Sequence, residues 1–196
     1  MANTRTFVAI ALPQGAITAL EALTRELRRT AWGGACRWSA AETMHLTLKF
    51  LGDVPDARMD DVFCAVRLAA QGVSPLTFEL AGLGCFPHPR RPSVVWVGTR
   101  EPSGRLAELA RDVDEALGRA GWPREVRPYY PHLTIARVRR GAAPGQTAGL
   151  AEDLASHSAQ PLATVDVQGI TVYGSVLTPS GPVHTRLCEC PLGRGA

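Results

Sequence analysis

One stretch of the chain alternates strictly between apolar and polar side chains. In residues 43–51 the even positions are apolar, and the odd positions include His45, Thr47 and Lys49. Successive side chains of a strand point to opposite faces, so this pattern predicts a strand with an inward apolar face and a polar face that carries these three residues. The Gly52-Asp53 pair predicts a turn at its end.

The rest of the chain shows both helical and strand periodicity. The predicted helices cover residues 16–29, 56–70, 103–120 and 146–156. Further strands are predicted at residues 5–11, 76–82, 93–99, 129–138, 163–176 and 183–190, and residues 85–92, with three prolines, are predicted to form a loop. Helices mixed with closely connected strands favour an α+β fold with antiparallel sheets.

The strand predicted at residues 129–138 repeats the first polar strand. The tetrad His132-Leu133-Thr134-Ile135 lies 87 positions after His45-Leu46-Thr47-Leu48, and the order of elements around the two tetrads is similar. In the second strand Tyr130, His132 and Thr134 share one face. If the two halves of the chain pack symmetrically, both polar faces line one cleft.

This combination of side chains suits the cleavage of a phosphodiester. Imidazole titrates near pH 6.5, so one histidine can accept a proton from water while the other gives a proton to the departing oxygen. Threonine hydroxyls can donate hydrogen bonds to the non-bridging oxygens. A single His-x-Thr strand is more often structural, but two copies on matching strands favour catalysis by His45, Thr47, His132 and Thr134.

Composition sets the broad class of the protein. The 196 residues are 45% hydrophobic, which is enough for a single domain over residues 1–196. No run approaches 18 apolar residues, so we expect a soluble protein that does not bind a membrane, and a monomer by default. The five scattered cysteines indicate free thiols in a reducing cytoplasm. The net charge of +3 is compatible with a polyanionic partner.

The two tetrads and their flanking residues resemble the 2H phosphoesterase superfamily, and within it the RNA 2′,3′-cyclic phosphodiesterases, also called 2′-5′ RNA ligases. The similarity extends over nearly the whole chain. It is carried by the segments Phe7-Val8-Ala9-Ile10-Ala11-Leu12-Pro13, Arg37-Trp38, Glu42-Thr43-Met44-His45-Leu46-Thr47-Leu48-Lys49-Phe50-Leu51-Gly52, Pro92-Ser93-Val94-Val95-Trp96-Val97-Gly98 and Arg127-Pro128-Tyr129-Tyr130-Pro131-His132-Leu133-Thr134-Ile135-Ala136-Arg137.

The resemblance implies a bilobal fold, with two pseudo-symmetric antiparallel sheets lining a central cleft and helices outside. It implies hydrolysis of a terminal 2′,3′-cyclic phosphate of RNA to a 2′-phosphate, with His45 as the proton donor and His132 as the acceptor, and neither a metal nor a cofactor. The reverse reaction with a 5′-hydroxyl forms a 2′-5′ linkage.

Three further residues are candidates for substrate binding. The resemblance implies this role for Arg137, although strand alternation directs that side chain away from the cleft unless a bulge or the strand end redirects it. Lys49, the only lysine, shares the polar strand face, and Tyr130 could stack on a base. His184 stands where relatives commonly have tyrosine, which puts a binding role there in doubt.

Two other functions compete with this prediction. A member of the same superfamily could act on a small cyclic nucleotide or an ADP-ribose cyclic phosphate, and the cleft loops that would distinguish it cannot be interpreted from spacing. A protein of another class would be a non-catalytic RNA-binding module that keeps the cleft. Such a module would be expected to have a broken tetrad, whereas both tetrads are intact.

Overall fold

A computed structural model describes residues 2–179 and 181–193 of the chain. Its strands are β1 (Asn3–Ala11), β2 (Cys36–Trp38), β3 (His45–Pro55), β4 (Leu76–Phe86), β5 (Val94–Arg100), β6 (His132–Val138), β7 (Pro161–Val167), β8 (Gly169–Thr178) and β9 (Gly181–Pro191). Its α-helices are α1 (Gln14–Leu27), α2 (Met59–Gln71), α3 (Arg105–Arg119) and α4 (Leu150–Ser156).

The strands form two antiparallel sheets. The first sheet has the order β3-β1-β8-β9, and the second has the order β2-β6-β5-β4-β7. Each histidine of the two tetrads is the first residue of its strand, with His45 in the first sheet and His132 in the second. The prediction of an α+β fold built on two antiparallel sheets is confirmed.

The two halves of the chain build similar units. Each unit contains a strand, a helix and a second strand in this order, as β1, α1 and β3 in one half and β5, α3 and β6 in the other, although the short β2 lies between α1 and β3. Ala9 pairs with Thr47 in the first unit, and Trp96 pairs with Thr134 in the second. Both the tetrads and their partner strands are therefore related by the same shift of 87 residues along the chain.

A β-bulge occurs at the same place in both tetrad strands. In β3 the pairing passes from Thr47 to Lys49 and leaves out Leu48; in β6 it passes from Thr134 to Ala136 and leaves out Ile135. An extra residue of this kind reverses the alternation of faces beyond it. The first seven residues of both strands accordingly share one burial sequence, in which positions two, four and five are buried.

The helices cover the outer faces of the sheets with apolar stripes. On α3 the predicted inward residues are all buried, namely Leu106, Leu109, Val113 and Leu117. On α1 the buried stripe includes Leu20, Leu23 and Leu27. Burial of such large side chains contributes about 1.5–3 kcal/mol each, so these stripes are a main source of the stability of the fold.

Several element boundaries differ from the sequence prediction. The expected turn at Gly52-Asp53 is wrong, because Gly52 takes a positive φ of 74° and β3 continues through it to Pro55. The predicted strand over residues 163–176 is two strands separated at Gln168. Strand β2 is not predicted because three residues are too few to show a period, and α3 begins at Arg105 rather than at residue 103.

The five cysteines are free thiols. No helix in residues 2–179 and 181–193 is long and apolar enough to cross a membrane. A single domain is predicted over residues 1–196. Of these, Met1, Ser180 and residues 194–196 lie outside the part of the chain that the structure describes, and the prediction stays a prediction.

Candidate active site

The two tetrads place their polar side chains on one face of each strand. His45 and Thr47 in β3, and His132 and Thr134 in β6, are half-buried, while the apolar residues between them are buried. Among the described residues, neither threonine hydroxyl has a hydrogen-bond partner, so both are available to a ligand.

Both histidine rings are held by the carbonyl group two residues earlier in the chain. Nδ1 of His45 lies 2.9 Å from the carbonyl oxygen of Thr43, and Nδ1 of His132 lies 2.8 Å from that of Tyr130. A carbonyl oxygen only accepts hydrogen bonds, so each Nδ1 carries a proton and donates it. In both rings Nε2 is therefore the nitrogen left to exchange protons with a ligand.

Aromatic rings enclose His45. Phe7 stacks on it with ring centroids 4.5 Å apart, His184 meets it perpendicularly at 5.2 Å, and Tyr173 lies at 6.0 Å. Burial lowers the pKa of His45 to about 4, although the hydrogen bond to the carbonyl of Thr43 acts in the opposite direction. Without a ligand, His45 is thus neutral at pH 7.

His132 is bordered by a different set of rings. Phe86 meets it perpendicularly at 4.9 Å, and Trp96 lies at 6.3 Å between centroids. The Trp96 ring lies over Gly84 of the neighbouring strand, where any Cβ atom would collide with the indole. The indole Nε1 is buried without a hydrogen-bond partner among the described residues. Sequence reasoning did not identify Trp96 or Gly84 as part of the site.

Hydrogen bonds tie the segment before β6 to strand β3. The hydroxyl of Tyr129 donates to the carbonyl of Thr47 over 3.0 Å. A groove of about 1320 Å³ has both Thr47 and His132 in its wall, together with Phe50 and Tyr130. The structure therefore brings parts of both tetrads to one opening between the sheets.

The bulge in β6 decides where Arg137 lies. Because Ile135 is left out of the pairing, Ile135 and Ala136 are both buried, and Arg137 is exposed on the face that carries His132 and Thr134. Strand alternation alone predicts Arg137 on the opposite face, and the bulge is what turns its side chain to the face of His132 and Thr134.

The same bulge in β3 corrects two expectations. Strand alternation predicts Lys49 in the row of His45 and Thr47, but Lys49 is only 7% exposed, and its ammonium group donates to Asp114 and to the carbonyl of Pro123. The same alternation predicts Phe50 on the inward face, but Phe50 is 67% exposed and lines the groove. The extra residue Leu48 reverses the alternation, so that the side chains after it exchange faces.

Among the other histidines, only His184 lies beside the tetrads. Its Nδ1 is buried without a hydrogen-bond partner among the described residues. His88 accepts a hydrogen bond from the backbone of Arg90, and His157 donates to the carbonyl of Asp153. In the described part of the chain, no three His, Cys, Asp or Glu side chains are grouped as ligands of a metal ion would be.

Comparison with known proteins identifies the family. The model of the 2′-5′ RNA ligase superfamily matches residues 18–176. The chain belongs to this superfamily. Several proteins named RNA 2′,3′-cyclic phosphodiesterase are similar to this chain along most of their length. The protein from Thermotoga maritima is 30% identical, with 97% of each chain covered, and that from Methanothermobacter thermautotrophicus is 30% identical over 92% of this chain and 95% of its own.

Solved structures of this superfamily have the same fold. The apo form of Escherichia coli LigT superposes with a TM-score of 0.73 at 26% identity, and covers 99% of this chain and 100% of its own. A protein from Thermus thermophilus gives a TM-score of 0.79 at 24% identity, with 98% of this chain and 100% of its own covered, a likeness that concerns the fold alone. The bilobal LigT-like fold expected from the sequence is confirmed.

The depressed pKa of His45 predicts how the stability of this 2′-5′ RNA ligase superfamily protein depends on pH. His45 of the unfolded chain becomes protonated below about pH 6.5, whereas His45 of the folded protein stays neutral down to about pH 4. Between these values the unfolded state binds more protons, so the free energy of unfolding decreases as the pH falls. The contribution of His45 to this decrease in the free energy of unfolding approaches about 3 kcal/mol at pH 4. Urea unfolding from pH 7 to pH 4 should show a shallower loss for His45→Gln than for the unaltered protein, and equal slopes would contradict the assignment.

The ion pair between buried Lys49 and half-buried Asp114 predicts a structural role for this lysine. Burial acts to raise the pKa of Asp114, but Lys49, Arg124 and a backbone N–H outweigh it and hold the pKa low. Lys49→Met should lower the free energy of unfolding by about 2 kcal/mol, because it removes a charged hydrogen-bond donor from the half-buried carboxylate of Asp114 and from the carbonyl of Pro123. Glu189→Gln, which breaks an exposed ion pair with Arg186, is the control and should cost under about 1 kcal/mol.

Urea denaturation measures the loss of unfolding free energy in Lys49→Met and in Glu189→Gln. The KM for substrate then shows whether Lys49 also contributes to substrate binding. If Lys49 contacted the substrate, Lys49→Met would have a raised KM even at temperatures well below the melting temperature of the variant, where it is fully folded. An unchanged KM with a lowered midpoint is the expected result.

Proposed function

We propose that this protein hydrolyses 2′,3′-cyclic phosphate ends of RNA to 2′-phosphates without a metal ion, using His45 and His132 as acid and base. The relatives that cover most of the chain are named for this activity. The observation that carries the proposal is the pair of imidazoles fixed alike, with Nδ1 on a carbonyl and Nε2 left for the ligand.

The proton balance of the reaction needs two such groups. Nε2 of His132 takes a proton from water as its oxygen bonds to phosphorus. The bond from phosphorus to O3′ breaks, and O3′ receives a proton from Nε2 of His45, so the products are a 2′-phosphate and a 3′-hydroxyl. The entering and leaving oxygens lie on opposite sides of phosphorus, which calls for one histidine from each lobe.

As the donor, His45 has to gain a proton when substrate binds. Burial keeps its pKa at about 4 in the unliganded protein. A phosphodiester anion beside the ring favours the charged imidazolium and raises this pKa. The substrate itself thereby supplies the charge that prepares His45 for its role.

The remaining cleft residues hold the substrate. Thr47 and Thr134 donate to the non-bridging oxygens, where negative charge grows during attack. Arg137 supplies a guanidinium for the phosphate on the face of β6 that carries His132. The exposed rings of Phe50 and Tyr130 in the groove offer surfaces on which a base can stack.

The same steps run backwards with a 5′-hydroxyl in place of water would form a 2′-5′ linkage. A small cyclic nucleotide remains the second candidate substrate, since one E. coli LigT structure contains 3′-AMP. Five free thiols are compatible with the proposed location in a reducing cytoplasm.

Removal of either imidazole should abolish most of the activity. We expect His45→Ala and His132→Ala each to lower kcat/KM for a 2′,3′-cyclic mononucleotide by roughly 10²- to 10⁴-fold, because each removes a proton-transfer group. Activity of the unaltered protein should persist in EDTA. Chromatographic analysis of the product should show the 2′-phosphate.

Four results would count against this proposal. Activity that survives both substitutions would reject the two histidines, loss of activity in EDTA would reject the metal-free reaction, and a 3′-phosphate product would reject cleavage at O3′. Binding of the cyclic nucleotide without turnover would favour the non-catalytic module.

A substrate with sulfur in place of O3′ separates the donor from the acceptor. A thiolate leaves without a proton because its pKa is far below that of an alcohol. We therefore expect His45→Ala to be impaired much less on this substrate than on the oxygen one, whereas His132→Ala should be equally impaired on both. The opposite pattern would exchange the two roles, and kcat/KM values for the four combinations decide between them.

A further inference from the structure

Six arginines from three separate segments meet at one end of the second sheet. Arg90 and Arg91 precede β5, Arg139 and Arg140 follow β6, and Arg37 lies in β2 directly opposite Arg137 of β6. Backbone hydrogen bonds fix this meeting point. The N–H of Val138 donates to Ser93 over 3.0 Å, and that of Arg139 donates to Ala35 over 2.8 Å. We call these six residues the arginine surface.

The charges of the arginine surface are not neutralised by the protein. All six side chains are exposed, and none of them forms an ion pair with a carboxylate of the described residues. Arg58, Arg100 and Arg124 do have such partners, whereas Arg25 and Arg29 have none among the described residues. The arginine surface is therefore distinguished by unpaired charge that lies next to the face of the two catalytic tetrads. Like charges directly opposite each other on neighbouring strands, such as Arg37 and Arg137, destabilise a sheet unless an anion lies between them.

The arginine surface begins at the cleft. Directly opposite residues of antiparallel strands share a face, so Arg37 and Arg137 stand on the same side of the sheet as Thr134 and His132. A cyclic mononucleotide brings a single phosphate, which the cleft residues already hold. The charges of the arginines beyond the cleft can be neutralised only by a ligand that carries further anionic groups along its length.

We propose that the arginine surface binds the backbone phosphates of single-stranded RNA on the 5′ side of the cyclic end. This inference rests on the proposed function and selects an RNA chain over a small cyclic nucleotide as the substrate. Guanidinium groups bind phosphate oxygens through paired N–H donors, and they do so without reading the base sequence. The surface thus supplies affinity for a chain of any sequence.

The test compares two substrates on a variant in which Arg90, Arg91, Arg139 and Arg140 are all replaced by Gln. The substrates are a ten-nucleotide RNA with a 2′,3′-cyclic end and the cyclic mononucleotide. We expect kcat/KM for the RNA to fall about tenfold at low salt, with that for the mononucleotide unchanged. Each lost phosphate contact should also reduce the slope of log kcat/KM for RNA against log salt concentration by about 0.7.

The control carries the same kind of charge change elsewhere. Arg25 and Arg29 are exposed on or just after α1. This helix covers the face of the second sheet opposite to the one that carries Arg37 and Arg137, since Arg28 at its C-terminal end lies over Trp38, the neighbour of Arg37 in β2. Arg25→Gln with Arg29→Gln should leave both substrates unaffected. Thermal melting verifies folding, and the pairs Arg90/Arg91 and Arg139/Arg140 are also tested separately in case the fourfold variant does not fold.

The outcomes separate this inference from the proposed function. If the unaltered protein hydrolyses both substrates equally well, with no salt dependence for RNA, the arginine surface has no such role but the proposed function stands. Equal losses on both substrates, no loss on RNA, or an equal loss in the Arg25/Arg29 control would also overturn the inference. If the unaltered protein hydrolyses neither substrate, the proposed function itself fails.

Discussion

The site depends on one extra residue in each of two strands. A regular strand sends positions two apart to the same face, so His45, Thr47 and Lys49 would stand in one row. The bulge at Leu48 ends that row after Thr47, and its counterpart at Ile135 does the same after Thr134. Without the second bulge, Arg137 would point toward the apolar side of the sheet, where an unpaired guanidinium is very unfavourable.

Similar backbones carry different chemistry in the two lobes. Beyond the bulge, the buried position holds Lys49 in one strand and Ala136 in the other, and the exposed position holds Phe50 in one and Arg137 in the other. At this position, on the face that carries the histidine, the first lobe therefore presents an aromatic ring and the second a cation. A symmetric scaffold acquires a direction in this way, and a ribonucleotide, with a base at one end and a phosphate at the other, is asymmetric in the same sense.

The sequence predicted most of the architecture because period and repetition are local signals. The repeated tetrads, the α+β class and the inward stripe of α3 follow from spacing alone. The fate of Lys49 could not be predicted, because its partners Asp114 and Pro123 lie 65 and 74 residues away. The bulges were equally hidden, since neither Leu48 nor Ile135 differs in type from a residue of a regular strand. Only the demand that Arg137 face the cleft pointed to one of them.

Net charge was a poor guide to the electrostatics of this protein. A total of +3 over 196 residues indicates only a mild preference for anions. In the folded protein some cations form ion pairs and others do not. Lys49 and Arg124 form ion pairs with Asp114, whereas Arg37 and Arg137 lie directly opposite each other on neighbouring strands. What attracts a polyanion is local charge that no carboxylate compensates, and this quantity arises from strand pairing. The fold, and not the composition, therefore determines where such a partner can bind.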